Sequence, residues 1–105
     1  MKTETRLWKD LRYIGPAMLG DLELLGIGSV RELKKQQPRA LYARLLKLSA
    51  GRPDICVEDA LAAAIAQARN PRLPRRQCQW WWWSRKRQEA RKSSRRAAGH
   101  KGILR

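Results

Sequence analysis

Five prolines, Pro16, Pro38, Pro53, Pro71 and Pro74, cut this chain into short stretches. A proline lacks a backbone donor and disfavours helical geometry in the residue before it, so a helix starts at a proline or stops ahead of it. Only short elements fit between the breaks, and the hydrophobic spacing within each stretch decides their type. Leu7, Leu11 and Ile14 follow Thr3 at helical intervals, which predicts a first helix over about residues 4–13 with Trp8 beside its stripe. Gly15-Pro16 ends it, and Pro16 suits the first turn of a second helix reaching about Leu25, with Met18, Leu22 and Leu25 on its inner face. Gly26 stops that helix, where a left-handed residue costs least in glycine.

Ser29 and Glu32 stand as an S-x-x-E capping box at the start of a short helix ending near Gln36. Pro38 opens the next, with Leu41, Leu45 and Leu48 in a stripe flanked by Tyr42 and Leu46, and Gly51-Arg52-Pro53 closes it. Asp54 caps a fifth helix up to about Asn70. Glu58 and Asp59 favour its positive end, and Val57, Leu61, Ile65 and Ala68 mark its buried side. Pro71 and Pro74 make residues 71–79 an exposed basic connector, and residues 80–89 are expected to form one more short helix. The apolar residues are mostly Leu, Ala and Ile with no Phe, a set that loses little rotamer freedom in helices, so the fold class is all-α.

At 105 residues one domain is expected, over residues 1–84. The remainder, residues 85–105, reads as a basic disordered tail, because Arg, Lys, Ser, Ala and Gly offer almost nothing to bury. Charge supports that division. The chain carries 24 Lys and Arg against 9 Asp and Glu; residues 71–105 hold 12 of the basic residues and 1 of the acidic ones. Such an excess points to a polyanionic partner, and Arg75, Arg76, Arg85, Lys86, Arg87, Arg91, Lys92, Arg95 and Arg96 are the cations placed to meet phosphates. The bland alternative is a solvated tail.

No stretch approaches the ~20 apolar residues of a membrane span, and the first residues lack an apolar run, so a cytoplasmic protein with no membrane insertion is expected. Cys56 and Cys78 then read as two separate thiols. No metal spacing, nucleotide fingerprint or cofactor motif is visible. His100 is the only histidine and falls in the tail, and no paired carboxylates stand in a catalytic context. No enzymatic role, catalytic residue, metal or cofactor is expected.

Leu11 to Pro16, then Leu22, Leu25-Gly26-Ile27 and Ser29 to Leu33 have the spacing of a helix-hairpin-helix. In that motif a tight turn aims amides at the start of the second helix toward a phosphate, gripping backbone without reading bases. Amides around Gly15 and Ala17, with Arg12 nearby, are the candidates. Tyr13 stands where many such hairpins carry their first glycine, which limits how closely backbone approaches a phosphate and leaves a purely structural hairpin as the alternative.

Residues 5–84 resemble the pathogenicity locus family of small helix-hairpin-helix proteins, often labelled mitomycin resistance proteins. The residues that carry this are Ile14-Gly15, Asp21-Leu22, Leu25-Gly26-Ile27, Ser29-Val30, Glu32-Leu33, Leu41-Tyr42, Asp54-x-Cys56, and above all Gln77-Cys78-Gln79-Trp80-Trp81-x-Trp83-Ser84. The core is also similar to the C-terminal domain of the TfoX competence regulators. The resemblance implies a compact five-helix SAM-like bundle and a DNA-related role, with no reaction.

Trp80, Trp81, Trp82 and Trp83 lie between Arg75-Arg76 and Arg85-Lys86-Arg87, as aromatic faces do in proteins that stack on unpaired bases. Four successive helical residues fan around the axis, so some should instead pack the C-terminal segment onto the bundle, with Trp80 and Trp83 as the natural pair. Two functions remain: sequence-independent binding of nucleic acid, double-stranded DNA favoured, and an adaptor docking a protein partner through the bundle or the tryptophans.

Overall fold

The structure, a computed structural model, describes residues 4–49 and 54–103, with side chains as far as residue 92. Five α-helices follow one another: α1 (Pro16–Leu24), α2 (Val30–Lys34), α3 (Pro38–Leu48), α4 (Cys56–Arg69) and α5 (Trp80–Ile103). Two single turns of 3-10 helix, Trp8–Asp10 and Arg75–Cys78, complete the regular structure, and no strand occurs among the described residues. The all-α expectation holds. The punctuation works as its chemistry dictates: Pro16 and Pro38 occupy first helical turns, Gly26 takes φ +77° just past α1, and the Ser29 hydroxyl accepts the Glu32 amide at 3.2 Å. Asp54 accepts the Cys56 amide at 3.0 Å at the start of α4, one residue ahead of its N-cap residue Ile55. The break at Gly51-Arg52-Pro53 and the side chains of Arg95, Arg96 and His100 lie outside the described residues.

Each of the five helices begins close to where one was expected, but the first expected helix is missing. Residues 4–13 form no α-helix; beyond the turn at Trp8–Asp10 the chain is irregular, and Tyr13 adopts a left-handed φ of +62°. Competing partners explain the difference. The Arg6 guanidinium reaches the Gln67 and Ala68 carbonyls, and the Arg12 amide and carbonyl both bond the Gln67 side chain, at 2.7 and 2.8 Å, instead of a helical neighbour. Leu11 is buried as expected, whereas Leu7 is exposed.

Leu22, Leu25, Val30, Leu33, Leu41, Leu45, Leu61 and Ile65 form the core. Each removes a full aliphatic side chain from water, about 1.5–3 kcal/mol apiece. Helix α4 sits centrally, packing on α2, α3, α5 and the second 3-10 turn. Its buried Ala63, Ala64 and Ala68 let neighbours approach closely. Orphan carbonyls at helix C-termini are satisfied by arginines from elsewhere. Arg44 donates to Leu25 O beyond α1, Arg69 to Lys34 O and Gln36 O at the end of α2, and Arg6 to the last turn of α4. Arg6 and Lys34 also pair with Glu4, whose carboxyl is held well below the usual range, chiefly by the hydrogen bonds from Arg6 and Lys34.

Residues 71–79 are not wholly an exposed connector, because the turn Arg75–Cys78 buries Cys78 against α4. Nor does helix stop near residue 89: the backbone of α5 runs helically to Ile103. Arg, Lys, Gln, Glu and Ala favour helix, and Arg87 anchors it by a two-pronged bond to buried Asp59, at 3.0 and 3.1 Å. The bundle therefore makes contacts beyond residue 84. For residues 93–105 the expected tail falls outside the described side chains.

Candidate functional site

Gln67 builds the turn that leads into α1. It is the one polar residue in the run Ala60–Ala68, and it is buried. Its amide clamps Arg12 from both sides, so the segment Arg12–Gly15 is pinned to α4. Gly15 caps α1 in extended geometry, and Gly15, Pro16 and Ala17 are exposed. The Ala17 and Met18 amides have no protein acceptor among the described residues. These are the open donors of a helix N-terminus, where partial positive charge collects. Burial pushes the Cys78 thiol up, while Arg12 and Arg75 act in the opposite direction on it.

A second turn escaped the sequence analysis in one respect. Gly26-Ile27-Gly28, between α1 and α2, carries the glycine-hydrophobic-glycine pattern that the earlier turn lacks at Tyr13. Its Gly28 amide is already occupied: the Glu32 carboxylate accepts it at 2.8 Å. The expected capping box is therefore reciprocal only in part, since the carboxylate reaches past Ser29 to Gly28. An anion is built into this turn, leaving the α1 N-terminus as the open one.

The C-terminal cations divide sharply. Arg87 is bound to Asp59, whereas Arg75, Arg76, Arg85, Lys86, Arg91 and Lys92 are exposed and enter no ion pair among the described residues. Lys86 and Arg91 face Arg39 across a groove of about 990 Å³ between α3, α4 and α5, where Glu58 also lies. The tryptophans divide as well. Trp83 donates its indole N–H to Gln77 O at 2.6 Å and meets Trp82 edge to face at 4.9 Å, and the Lys86 ammonium lies 5.1 Å from the Trp82 ring. Of the two tryptophans expected to pack α5 onto the bundle, Trp83 is half-buried and bonded to the second 3-10 turn, whereas Trp80, at the first position of α5, is 46% exposed. Trp81 is 40% exposed with the Arg85 guanidinium 5.6 Å from its ring. Ser84, buried, takes the inward place on α5 and accepts from Arg87 and Gln88.

Cys56 and Cys78 are unpaired thiols. Burial, the Asp54 hydrogen bond and the nearby carboxylates of Asp54 and Asp59 push the Cys56 thiol up, while Arg87 acts in the opposite direction. Among the described residues no three His, Cys, Asp or Glu side chains gather as a metal site, and no helix is long and apolar enough to cross a membrane.

In comparison with known families, the family model described as Cdd1, pathogenicity locus, matches residues 2–89. Neither the curated proteins nor the solved structures contain a match to this chain.

Proposed function

From the premise that the chain belongs to the Cdd1, pathogenicity locus, family, we propose that it binds the backbone of nucleic acid without regard to sequence, double-stranded DNA being the favoured ligand. One observation carries this reading: Arg75, Arg76, Arg85, Lys86, Arg91 and Lys92 are exposed and enter no ion pair among the described residues, on a segment whose only acidic residue is Glu89. Cations that stabilise a fold find carboxylates or carbonyls, as Arg87, Arg44 and Arg69 do. Those left open toward solvent are available to displace counterions from phosphate. At the α1 N-terminus the amides of Ala17 and Met18, without a protein acceptor among the described residues and with Arg12 three residues before Gly15 in the chain, would hold one phosphate and set the register. In this reading the turn before α1 serves as the hairpin of a helix-hairpin-helix whose first helix is reduced to a 3-10 turn.

A second reading, docking of a protein partner, is favoured by an apolar groove of about 450 Å³ lined by Trp8, Leu19, Leu22 and Ile27. The two separate by salt. A labelled duplex titrated with full-length protein should lose affinity steeply as salt rises, with a slope near −0.9 per phosphate neutralised. Arg91→Ala/Lys92→Ala should flatten that slope by roughly two units. Gly15→Glu should weaken binding further by placing a carboxylate at the open amides. Affinity indifferent to salt, or no binding at moderate salt, would favour the adaptor.

A further inference from the structure

The tryptophan run is too costly to be solvent-facing by accident, and the structure separates its members by what they touch. Trp82 and Trp83 are committed: one indole bonds a carbonyl, the two rings pack edge to face, and Lys86 lies against the pair. Trp80 makes no ring contact, cation contact or side-chain hydrogen bond among the described residues, and the one such interaction of Trp81 there is with Arg85. Both expose large indole surface side by side at the start of α5, where burying it against the bundle would otherwise be favourable. Exposed Arg75 and Arg76 stand just before this pair and Arg85 just after, with no acidic residue from Pro71 to Gln88.

We propose that Trp80 and Trp81 are a stacking platform for unpaired nucleobases, flanked by arginines that take the adjoining phosphates; this rests on the backbone-binding reading and narrows its ligand to nucleic acid carrying a single-stranded stretch. Bases within a duplex are already stacked on their neighbours and cannot reach a protein ring, whereas a single strand splays its bases at low cost. Consecutive helical positions point about 100° apart, which suits two splayed bases and not a continuous stack. The guanidinium over Trp81 is the arrangement a cationic site uses to hold a base and a phosphate together, since a π face accepts either a cation or another ring. Indole faces accept any base, so the platform adds no sequence preference.

The test uses the full chain with two labelled probes of equal length: an oligothymidylate and an abasic strand with the same phosphates and no bases. The wild type should bind the base-bearing strand at least about five-fold more tightly, the lower end of one stacking contact. Trp80→Ala/Trp81→Ala should abolish that preference and leave affinity for the abasic strand unchanged. Equal affinity of the wild type for both strands overturns the platform, as does a preference that survives the double substitution. Loss of abasic binding in the variant overturns it too, by making the indoles supports of the fold. The backbone reading is judged separately by the salt dependence of the abasic strand and of a duplex. Salt-sensitive binding without base preference leaves the backbone reading standing and returns the exposed indoles to a protein-docking patch; base preference without salt sensitivity does the reverse.

Discussion

Replacing Arg87 with alanine removes one end of an ion pair whose other end cannot reach water. The Asp59 side chain is 3% exposed and that of Arg87 26%, so the two halves of the pair are not equivalent. Arg87→Ala strands a carboxylate inside the α4–α5 contact, and losing one partner of such a pair costs about 3–5 kcal/mol. The lower end applies here because Arg87 is partly wetted already. Asp59→Ala leaves a guanidinium that can swing into solvent, and its cost should be about 1.5–2 kcal/mol, the lower part of the range for hydrogen bonds to charged groups. With about 4–8 °C per kcal/mol for a domain of this size, Arg87→Ala should lower the melting temperature by roughly 12–24 °C and Asp59→Ala by about half to two thirds of that. Thermal melts followed by far-ultraviolet circular dichroism read the difference. The near-ultraviolet signal of the Trp82–Trp83 pair reports whether α5 has left the bundle. Equal losses from the two substitutions, or an Arg87→Ala cost below about 1 kcal/mol, would show that Asp59 finds water or another donor and would refute the reasoning from burial.

Glu4 should make stability depend on acid. Its folded carboxyl is depressed by Arg6 and Lys34, so its contribution is present above the ordinary carboxylate value of about 4.3 and lost as pH falls below it. Glu4→Gln should therefore melt lower than wild type at neutral pH, and the two curves should converge in strong acid. Gln67→Leu should cost about 1–3 kcal/mol by leaving the Arg12 backbone unpaired, with hydrogen exchange at the Arg12 amide rising more than elsewhere. Gly26→Ala should cost about 1–2 kcal/mol in urea unfolding because its φ is +77°, whereas Gly15→Ala, with no atom near its added carbon and ordinary backbone, should stay within about 0.5 kcal/mol.

What was legible in the sequence was local. Pro16, Gly26, Ser29, Pro38 and Asp54 act on their nearest neighbours, so α1 to α4 begin and end close to where those residues place them. Leu22, Leu41, Leu45, Leu61 and Ile65 are buried because helical spacing puts them on one side. The N-terminal segment was misread because its leucine spacing is helical while its backbone partners lie across the fold: Arg6 and Arg12 answer to the end of α4, some sixty residues along. Asp59 looked like a dipole partner in a first turn, and nothing in its neighbourhood announces Arg87. In the site, the cations and indoles were visible as a run, but which were free was not. Four adjacent tryptophans have identical chemistry and differ only in where the α5 axis turns them. Gly26-Ile27-Gly28 shows its helix stop and its place in the helix-hairpin-helix spacing in the sequence; the carboxylate filling it is again a matter of three-dimensional reach.

The arginines at helix C-termini give the molecule two populations of cation that respond differently to its surroundings. Arg44 and Arg69 meet neutral carbonyls at 2.7–3.0 Å. That separation is far inside the Debye length of about 8 Å at physiological ionic strength, so dissolved ions hardly intervene. The open cations of the second 3-10 turn and α5 act across solvent, where ions intervene fully. A rise in salt should therefore empty the proposed binding surface while the scaffold stays assembled, and a return to low salt should restore a binder that never had to refold. Loading and unloading would follow the ionic composition of the surroundings as a reversible cycle.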